Sequence, residues 1–388
     1  RALDLSNRLR AEYGRDYFYN ITGNVLSPSS TLCKTLWVKE HEPEVYAKTV
    51  RFLQVKDYLV YRLTGNMDST DLSDASHAML MNLRTREYDA EMFRNVGLDK
   101  SKFPELHTGC EIAGRLTEEA AYHLGLRAGI PVSVGGGDGA CANVGAGVVE
   151  PGNFYLSLGT TAWIAGPMAE PYLDEKHRVF HIYTLDGHGC NVFGTLQCAG
   201  RSISWAQELL GYASPRVMDS AAATIAPGSE GLVYLPYLEG ERSPVFDAKA
   251  RGVFFGMNTM HKKEHFARAV LEGTGCGLAQ ILSAFRERVP IESLRIIGGG
   301  AKSKLWKQII ADLCDVRLLE VSTFSDSATS MGAAAAVGVG IGLYPDLAAA
   351  VAHIQTGAAT VPEQHAAYEM TQKRYDMLYP SLVDVFHL

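Results

Sequence analysis

The stretch Ile130 to Thr161, IPVSVGGGDGACANVGAGVVEPGNFYLSLGTT, leaves few folds open. A short apolar run (Ile130, Val132, Val134) alternates as a strand does and stops at three glycines and one acid, Asp138. Small residues fill Gly139 to Gly147. A second strand-like run, Asn153 to Leu158, then breaks at Gly159-Thr160-Thr161. Strands ending in glycine turns, with helices after them, are the local pattern of layered α/β proteins.

The rest of the chain keeps this alternation. Helices are expected over residues 1–13, 34–40, 57–63, 118–124, 201–210, 216–224, 261–289, 302–314, 327–342 and 365–378, and strands over 180–183, 191–193, 232–235, 294–297 and 317–321. Thr64-Gly65 reads as a glycine helix end. Tyr17 to Ser30 reads as turns, and Ser73 and Asp74 as caps of a short helical turn. At 388 residues there is room for two full cores, and the composition break at Val149-Glu150-Pro151-Gly152 is the expected boundary.

Charge and cysteine content narrow the partners. A net charge of -7, with no basic cluster on any expected element, excludes a general nucleic-acid binder. An acidic chain that binds a polyanion must use local backbone donors or a metal ion. Seven irregularly spaced cysteines without a CxxC pair suit reduced thiols in the cytoplasm better than disulfides or zinc. The longest apolar run, Met331 to Leu343, is too short to span a bilayer, so no membrane role is expected. Arg1-Ala2-Leu3-Asp4-Leu5 already reads as the inside of a helix, so a longer natural chain is expected.

Three motifs carry chemistry. Asp138 reads either as a turn or cap aspartate or as a general base for a hydroxyl, a role worth roughly 10²–10⁴-fold in rate. Gly159-Thr160-Thr161 is either a hairpin turn or a nest of N–H and hydroxyl groups for phosphate oxygens. Gly298-Gly299-Gly300-Ala301, after the run Leu294 to Ile297, is either a tight turn or a helix start that admits a nucleotide. No GxxxxGK[ST] exists. Gly135-x-Gly137-x-x-Ala140 mimics a dinucleotide fingerprint, but Asp138 inside the loop would repel a pyrophosphate.

Together with these, Thr31-x-x-Lys34-x-x-Trp37, Lys56-Asp57-Tyr58-Leu59, Asp71-x-Ser73-Asp74-Ala75-Ser76, Leu235-Pro236-Tyr237-Leu238-x-Gly240-Glu241-Arg242-x-Pro244 and Arg268 to Gly273 resemble the FGGY carbohydrate kinases, most closely their xylulokinase branch. The resemblance implies two actin-like (ribonuclease H-like) α/β domains with a cleft between them. Residues 1–149 would be the C-terminal part of the first, on the sugar side and incomplete at its N-terminus, and 150–388 the second, on the ATP side. It implies an ATP-dependent, Mg²⁺-assisted kinase acting on a pentulose such as xylulose, or on ribulose, gluconate, glycerol or another polyol, and is compatible with a homodimer.

Site roles follow from the same resemblance. Asp138 would be the base, with an indirect part in placing the metal; Gly159, Thr160 and Thr161 the second phosphate loop. Gly200, Ser204, Gly299, Gly300, Ala301 and Lys304 would lie along ATP; Gly139 and Trp163 would touch the sugar. Trp163 equally suits a half-buried strand position. Two departures stand out. Gly139 replaces the asparagine usual after the base, and the Asp-x-Gly-Thr first phosphate loop of the family has no match. A fragment that turns over poorly, or binds without catalysis, is therefore the other expectation.

Overall fold

The computed structural model describes residues 1–321 and 327–388, and the α/β expectation holds. The chain folds as two compact units. The first comprises Arg1–Pro151, Pro167–Val192 and Ser327–His353; the second comprises Gly152–Gly166, Phe193–Asp326 and Ile354–Leu388. Both units are thus assembled from separated segments.

Most of the expected elements are present. Phe180–Tyr183, Arg317–Val321 and Glu118–Leu124 match to the residue, and Val55–Thr64 ends at Gly65 in the left-handed conformation (φ 80°). The first departure is the first part of Tyr17 to Ser30; Gly23 to Ser30 is turn and loop as expected. Arg15–Thr22 is a helix, bounded by Gly14 (φ 84°) and Gly23 (φ 67°), and it buries Phe18 and Tyr19. Packing of those aromatic residues outweighs the turn-forming asparagines, because intrinsic propensity is the weaker term. The second concerns a cap. The helix Leu72–His77 is capped by Asp71, which accepts from the backbone N–H groups of Ser73 and Asp74, so those two residues are capped and do not cap.

In the first unit, Ser69–Asp71 pairs in parallel with Glu105–His107, and Ile112–Arg115 pairs antiparallel with Pro131–Ser133. The helix Asp138–Gly145 packs directly on Ala328–Gly340. Small residues make this approach feasible. A Cβ on Gly332 would lie 1.9 Å from the Cys141 carbonyl oxygen, and one on Gly145 would lie 1.7 Å from that of Ala328. The small-residue character of 327–342 is therefore an interhelical contact, with nothing bulkier than hydrogen tolerated at two points.

The second unit is built on a mixed sheet with strands ordered Thr356–Thr360, Arg317–Val321, Ser293–Ile297, Tyr155–Leu158, Ala162–Met168 and Cys190–Leu196. Ser293–Ile297 is parallel to both Arg317–Val321 and Tyr155–Leu158; the next pair, Tyr155–Leu158 with Ala162–Met168, is antiparallel. Lys263–Arg286 buries Val270, Leu271, Leu278, Ile281 and Leu282. Each such side chain is worth about 1.5–3 kcal/mol on burial. Gly194 lets the helix seat closely, since a Cβ there would meet Ile281 at 2.3 Å.

Candidate active site

The first-unit component begins where Pro131–Ser133 ends. Val134 is buried, Gly135 turns with φ 72°, and the chain enters Asp138–Gly145 with Gly137 at the N-cap position. Asp138 is consequently the first helical residue and not the cap. Its Oδ1 accepts from the Gly139 N–H at 2.7 Å, and the residue is exposed. A carboxylate in the first turn is favoured by the helix dipole. Gly139, by contrast, is buried.

Polar side chains support this loop from beneath. The Gly137 N–H donates to Ser73 Oγ at 2.9 Å, and Ser73 donates to Asp71, whose side chain is fully buried. Lys56 Nζ donates to the Val134 carbonyl at 3.1 Å and to Asp57 at 2.7 Å, and lies 3.2 Å from Asp71 and 3.9 Å from Asp74. Burial disfavours the Lys56 charge, but Asp71, Asp57 and Asp74 outweigh it and hold the ammonium above its ordinary range. The carboxyl of Asp74 is pushed up to about 7, first by burial and then by the neighbouring Asp71 charge. Burial and the same carboxylates raise the Cys141 thiol to about 12, which leaves it inert as a nucleophile.

The second-unit component gathers at the ends of two adjacent parallel strands. Because Tyr155–Leu158 and Ser293–Ile297 pair in register (Leu156 with Ile296, Ser157 with Ile297), the turns that follow them come out side by side. Gly298 (φ 94°) passes so close that a Cβ would lie 2.7 Å from the Leu158 carbonyl oxygen. The 3₁₀ turn Gly299–Lys302 follows, then Lys304–Cys314, capped by Ser303. Gly299 is exposed and a Cβ there would meet only open space, so this edge of the turn is accessible.

Gly159-Thr160-Thr161 is indeed a hairpin turn, with the Gly159 N–H donating to the Thr161 carbonyl at 3.0 Å. It is also docked on a helix start. Gly200 N–H donates to the Gly159 carbonyl at 2.9 Å, and Ala199 and Arg201 donate to that of Thr160 at 3.1 and 3.0 Å. Neither threonine hydroxyl has a hydrogen-bond partner among the described residues. Glu241 fixes the strand end ahead of this helix by accepting from the Gln197 N–H at 2.6 Å, and burial pushes its carboxyl up to about 8.

Gly159–Thr161, Gly200 and Gly298–Ala301 therefore converge in one place. Ser204 is exposed one turn along the helix Gly200–Leu209, and Lys304 is exposed at the start of Lys304–Cys314. Trp163 is half-buried opposite Ser157, its indole N–H donating to the Tyr155 hydroxyl at 2.7 Å. Sequence reasoning missed the supports: Lys56, Asp71 and Ser73 under the first loop, Glu241 beside the second, and Asp219, which accepts from Ser303 Oγ at 2.5 Å next to the third. The only signal was that Lys56, Asp71, Ser73 and Glu241 stand in motifs whose spacing announces no chemistry.

Comparison with known proteins identifies the family and the fold. Residues 1–145 match the N-terminal domain and residues 154–341 the C-terminal domain of the FGGY family of carbohydrate kinases. The xylulose kinase of Escherichia coli K12 is 33% identical over 375 residues, covering 94% of this chain and 75% of that one. Among solved structures, a ligand-bound xylulose kinase from Lactobacillus acidophilus aligns over all of this chain and 79% of its own, with TM-score 0.94 and 25% identity. A gluconate kinase from the same organism aligns over the same shares with TM-score 0.93 and 26% identity.

Proposed function

The chain belongs to the FGGY family of carbohydrate kinases and is a sugar kinase, and from that premise we propose that it moves the γ-phosphoryl group of ATP to a terminal hydroxyl of a pentulose such as xylulose. The observation that carries the proposal is the exposed Asp138 carboxylate at the head of its helix, on a loop held from both sides. We assign it as the base that orients the sugar hydroxyl and accepts its proton. The first unit takes the sugar side and the second the ATP side. Thr160 and Thr161 offer hydroxyls to phosphate oxygens, while Gly200, Gly299, Gly300 and Ala301 allow the nucleotide close to the backbone, with Ser204 and Lys304 at the margin. Catalysis rests on positioning and charge stabilisation, as is general for phosphoryl transfer.

Kinases of this family use ATP with a divalent metal, here taken to be Mg²⁺. Among the described residues no three His, Cys, Asp or Glu side chains converge as a metal cage. That suits Mg²⁺, which keeps its waters and binds through one or two carboxylates plus substrate phosphates. Asp138 would meet its hydration shell; when bound, the ion neutralises charge on the phosphates. Xylulose is favoured by the relatives' names and gluconate is the second choice, since Gly139 supplies no side-chain contact where an asparagine is usual. Seven free, buried cysteines suit a reducing compartment, which we take to be the cytoplasm. Among the described residues no helix is long and apolar enough to cross a membrane.

A coupled ADP-release screen against D-xylulose, L-xylulose, ribulose, gluconate and glycerol tests the reading, with calorimetric titration of each sugar and of ATP alongside. Turnover fastest with xylulose supports it, and turnover fastest with gluconate moves the substrate. Binding of ATP and sugar without ADP release leaves a binding protein and removes the catalytic role of Asp138.

A further inference from the structure

The supports beneath the Asp138 loop are chemically specific in a way that packing alone does not need. Lys56 comes from the helix Val55–Thr64 and Ser73 from Leu72–His77, two elements far from Asp138 in sequence. An ammonium has three N–H donors. Those of Lys56 are matched by three acceptors: the Val134 carbonyl at 3.1 Å, Asp57 at 2.7 Å and Asp71 at 3.2 Å. Asp71 in turn accepts from the Ser73 N–H at 2.8 Å and from its hydroxyl, and Ser73 Oγ receives the Gly137 N–H at 2.9 Å. Lys56 thus grips the residue before Gly135, and Ser73 grips the residue after Gly136.

Between these grips lie two glycines, which have the most backbone freedom to lose. A Cβ on Gly136 would lie 2.1 Å from the buried Leu185 side chain and 3.1 Å from Ser73 Oγ, so any side chain there must displace Leu185. Without tethers such a loop would leave the Asp138 side chain poorly aimed. A base misplaced by about 1 Å loses on the order of 10²-fold in rate.

We propose that Lys56 and Ser73, joined through Asp71, are positioning residues for Asp138: a half-buried ammonium tripod and a hydroxyl that clamp the glycine loop at both ends and set the direction of the base. The inference rests on the assignment of Asp138 as the base. It explains why a half-buried lysine faces three carboxylates, two of them buried, an arrangement that is costly to build for stability alone. It also explains why Asp71 has no open edge: one oxygen faces Lys56 and the other holds Ser73.

The test compares Lys56→Met, Lys56→Arg, Ser73→Ala and Asp138→Asn in the full chain by hydrogen–deuterium exchange and by sugar-dependent ADP release. In Ser73→Ala and Lys56→Met, the peptide over Gly135–Gly139 is expected to exchange about tenfold faster or more, with the second unit unchanged. In the same variants kcat falls roughly 10- to 100-fold while KM for ATP stays within about twofold. Lys56→Arg keeps the charge but not the tripod, so it restores melting temperature and not kcat. Exchange and kcat at wild-type levels in both Ser73→Ala and Lys56→Met would overturn the proposal, as would full recovery of kcat by Lys56→Arg. The exchange measurement needs no turnover and reads the tether of the loop independently of catalysis. If Asp138→Asn keeps its activity, the base assignment fails. If only Asp138→Asn loses activity, the clamp fails and the base stands.

Discussion

The loop that carries Asp138 and the turns at the strand ends of the second unit are both glycine-rich, yet they are held by opposite means. The first hangs on side chains: Ser73 and Lys56 bind its backbone, and Asp71 joins them. In the second unit the turns themselves hang on backbone, with Gly200 bonded to Gly159, Ala199 and Arg201 to Thr160, and Gly298 pressed on Leu158, while the Glu241 and Asp219 side chains hold only flanking residues. A loop held by side chains can be retuned through one charge. A loop held by main chain depends less on nearby charges and is intolerant of a Cβ where backbone meets backbone, as at Gly200 and Gly298. The division suits the chemistry each is assigned. A base needs its direction and proton affinity set, whereas a phosphate platform needs N–H groups and room.

The largest effect is expected from removing the carboxylate itself. Asp138→Asn should lower kcat for sugar phosphorylation by roughly 10²–10⁴-fold and leave ATP affinity nearly unchanged. Turnover near wild type would break the comparison at its root, because the first loop would then have no chemical task.

Next in size is a backbone insult in the second unit. A Cβ on Gly200 would lie 2.5 Å from the Gly159 carbonyl oxygen, so Gly200→Ala must push the Gly159–Thr161 turn aside. ATP affinity should fall by about 10- to 100-fold, with sugar affinity unchanged, both read by calorimetry. Gly299→Ala is the matched control. Its Cβ meets open space in the protein and leaves the turn in place, so a loss of ATP affinity there reports the nucleotide against that edge, and wild-type affinity removes Gly299 from the ATP site.

How much of this was legible beforehand follows from where the forces lie. Glycine turns after apolar runs announce themselves locally, so the strand ends, Asp138, Gly159–Thr161 and Gly298–Ala301 could be read off directly. The parallel pairing that brings the last two side by side is a long-range contact between Tyr155–Leu158 and Ser293–Ile297, and no local pattern encodes it. The clamp was hidden for the same reason. Lys56 looks like a solvated helix lysine until the fold half-buries it beside Asp57, Asp71 and Asp74. Arg15–Thr22 was misread because its turn-forming residues are local and the burial of Phe18 and Tyr19 is not.

A pH test sharpens the contrast from the first-unit side. The folded-state value of Asp74 is about 7, above the ordinary carboxyl range near 3.9, so between those values the folded chain holds a proton that the unfolded chain releases. Its contribution to stability is therefore fully present below about pH 4 and is lost as pH rises through about 7. Asp74→Asn, which cannot ionise, should show a shallower decline in melting temperature between pH 5 and pH 8 than wild type. Parallel declines in the two proteins would mean that the Lys56 cluster does not titrate as a unit with Asp74, and that the first loop is less charge-controlled than its contacts indicate.

The smallest expected effect concerns Trp163, the aromatic residue assigned to the sugar. Its indole N–H is committed to the Tyr155 hydroxyl at 2.7 Å, which fixes the ring's orientation on a strand that is otherwise backbone-paired. Trp163→Phe keeps an aromatic face and loses one hydrogen bond, a change of about 1 kcal/mol or roughly fivefold. If the ring lines the sugar pocket, that factor should appear in KM for the sugar and not in KM for ATP. If Trp163 is only a half-buried strand residue, it should appear in melting temperature and in neither KM. The two outcomes separate a contact made by one side chain from a scaffold made of main chain, which is the distinction the two loops draw at larger scale.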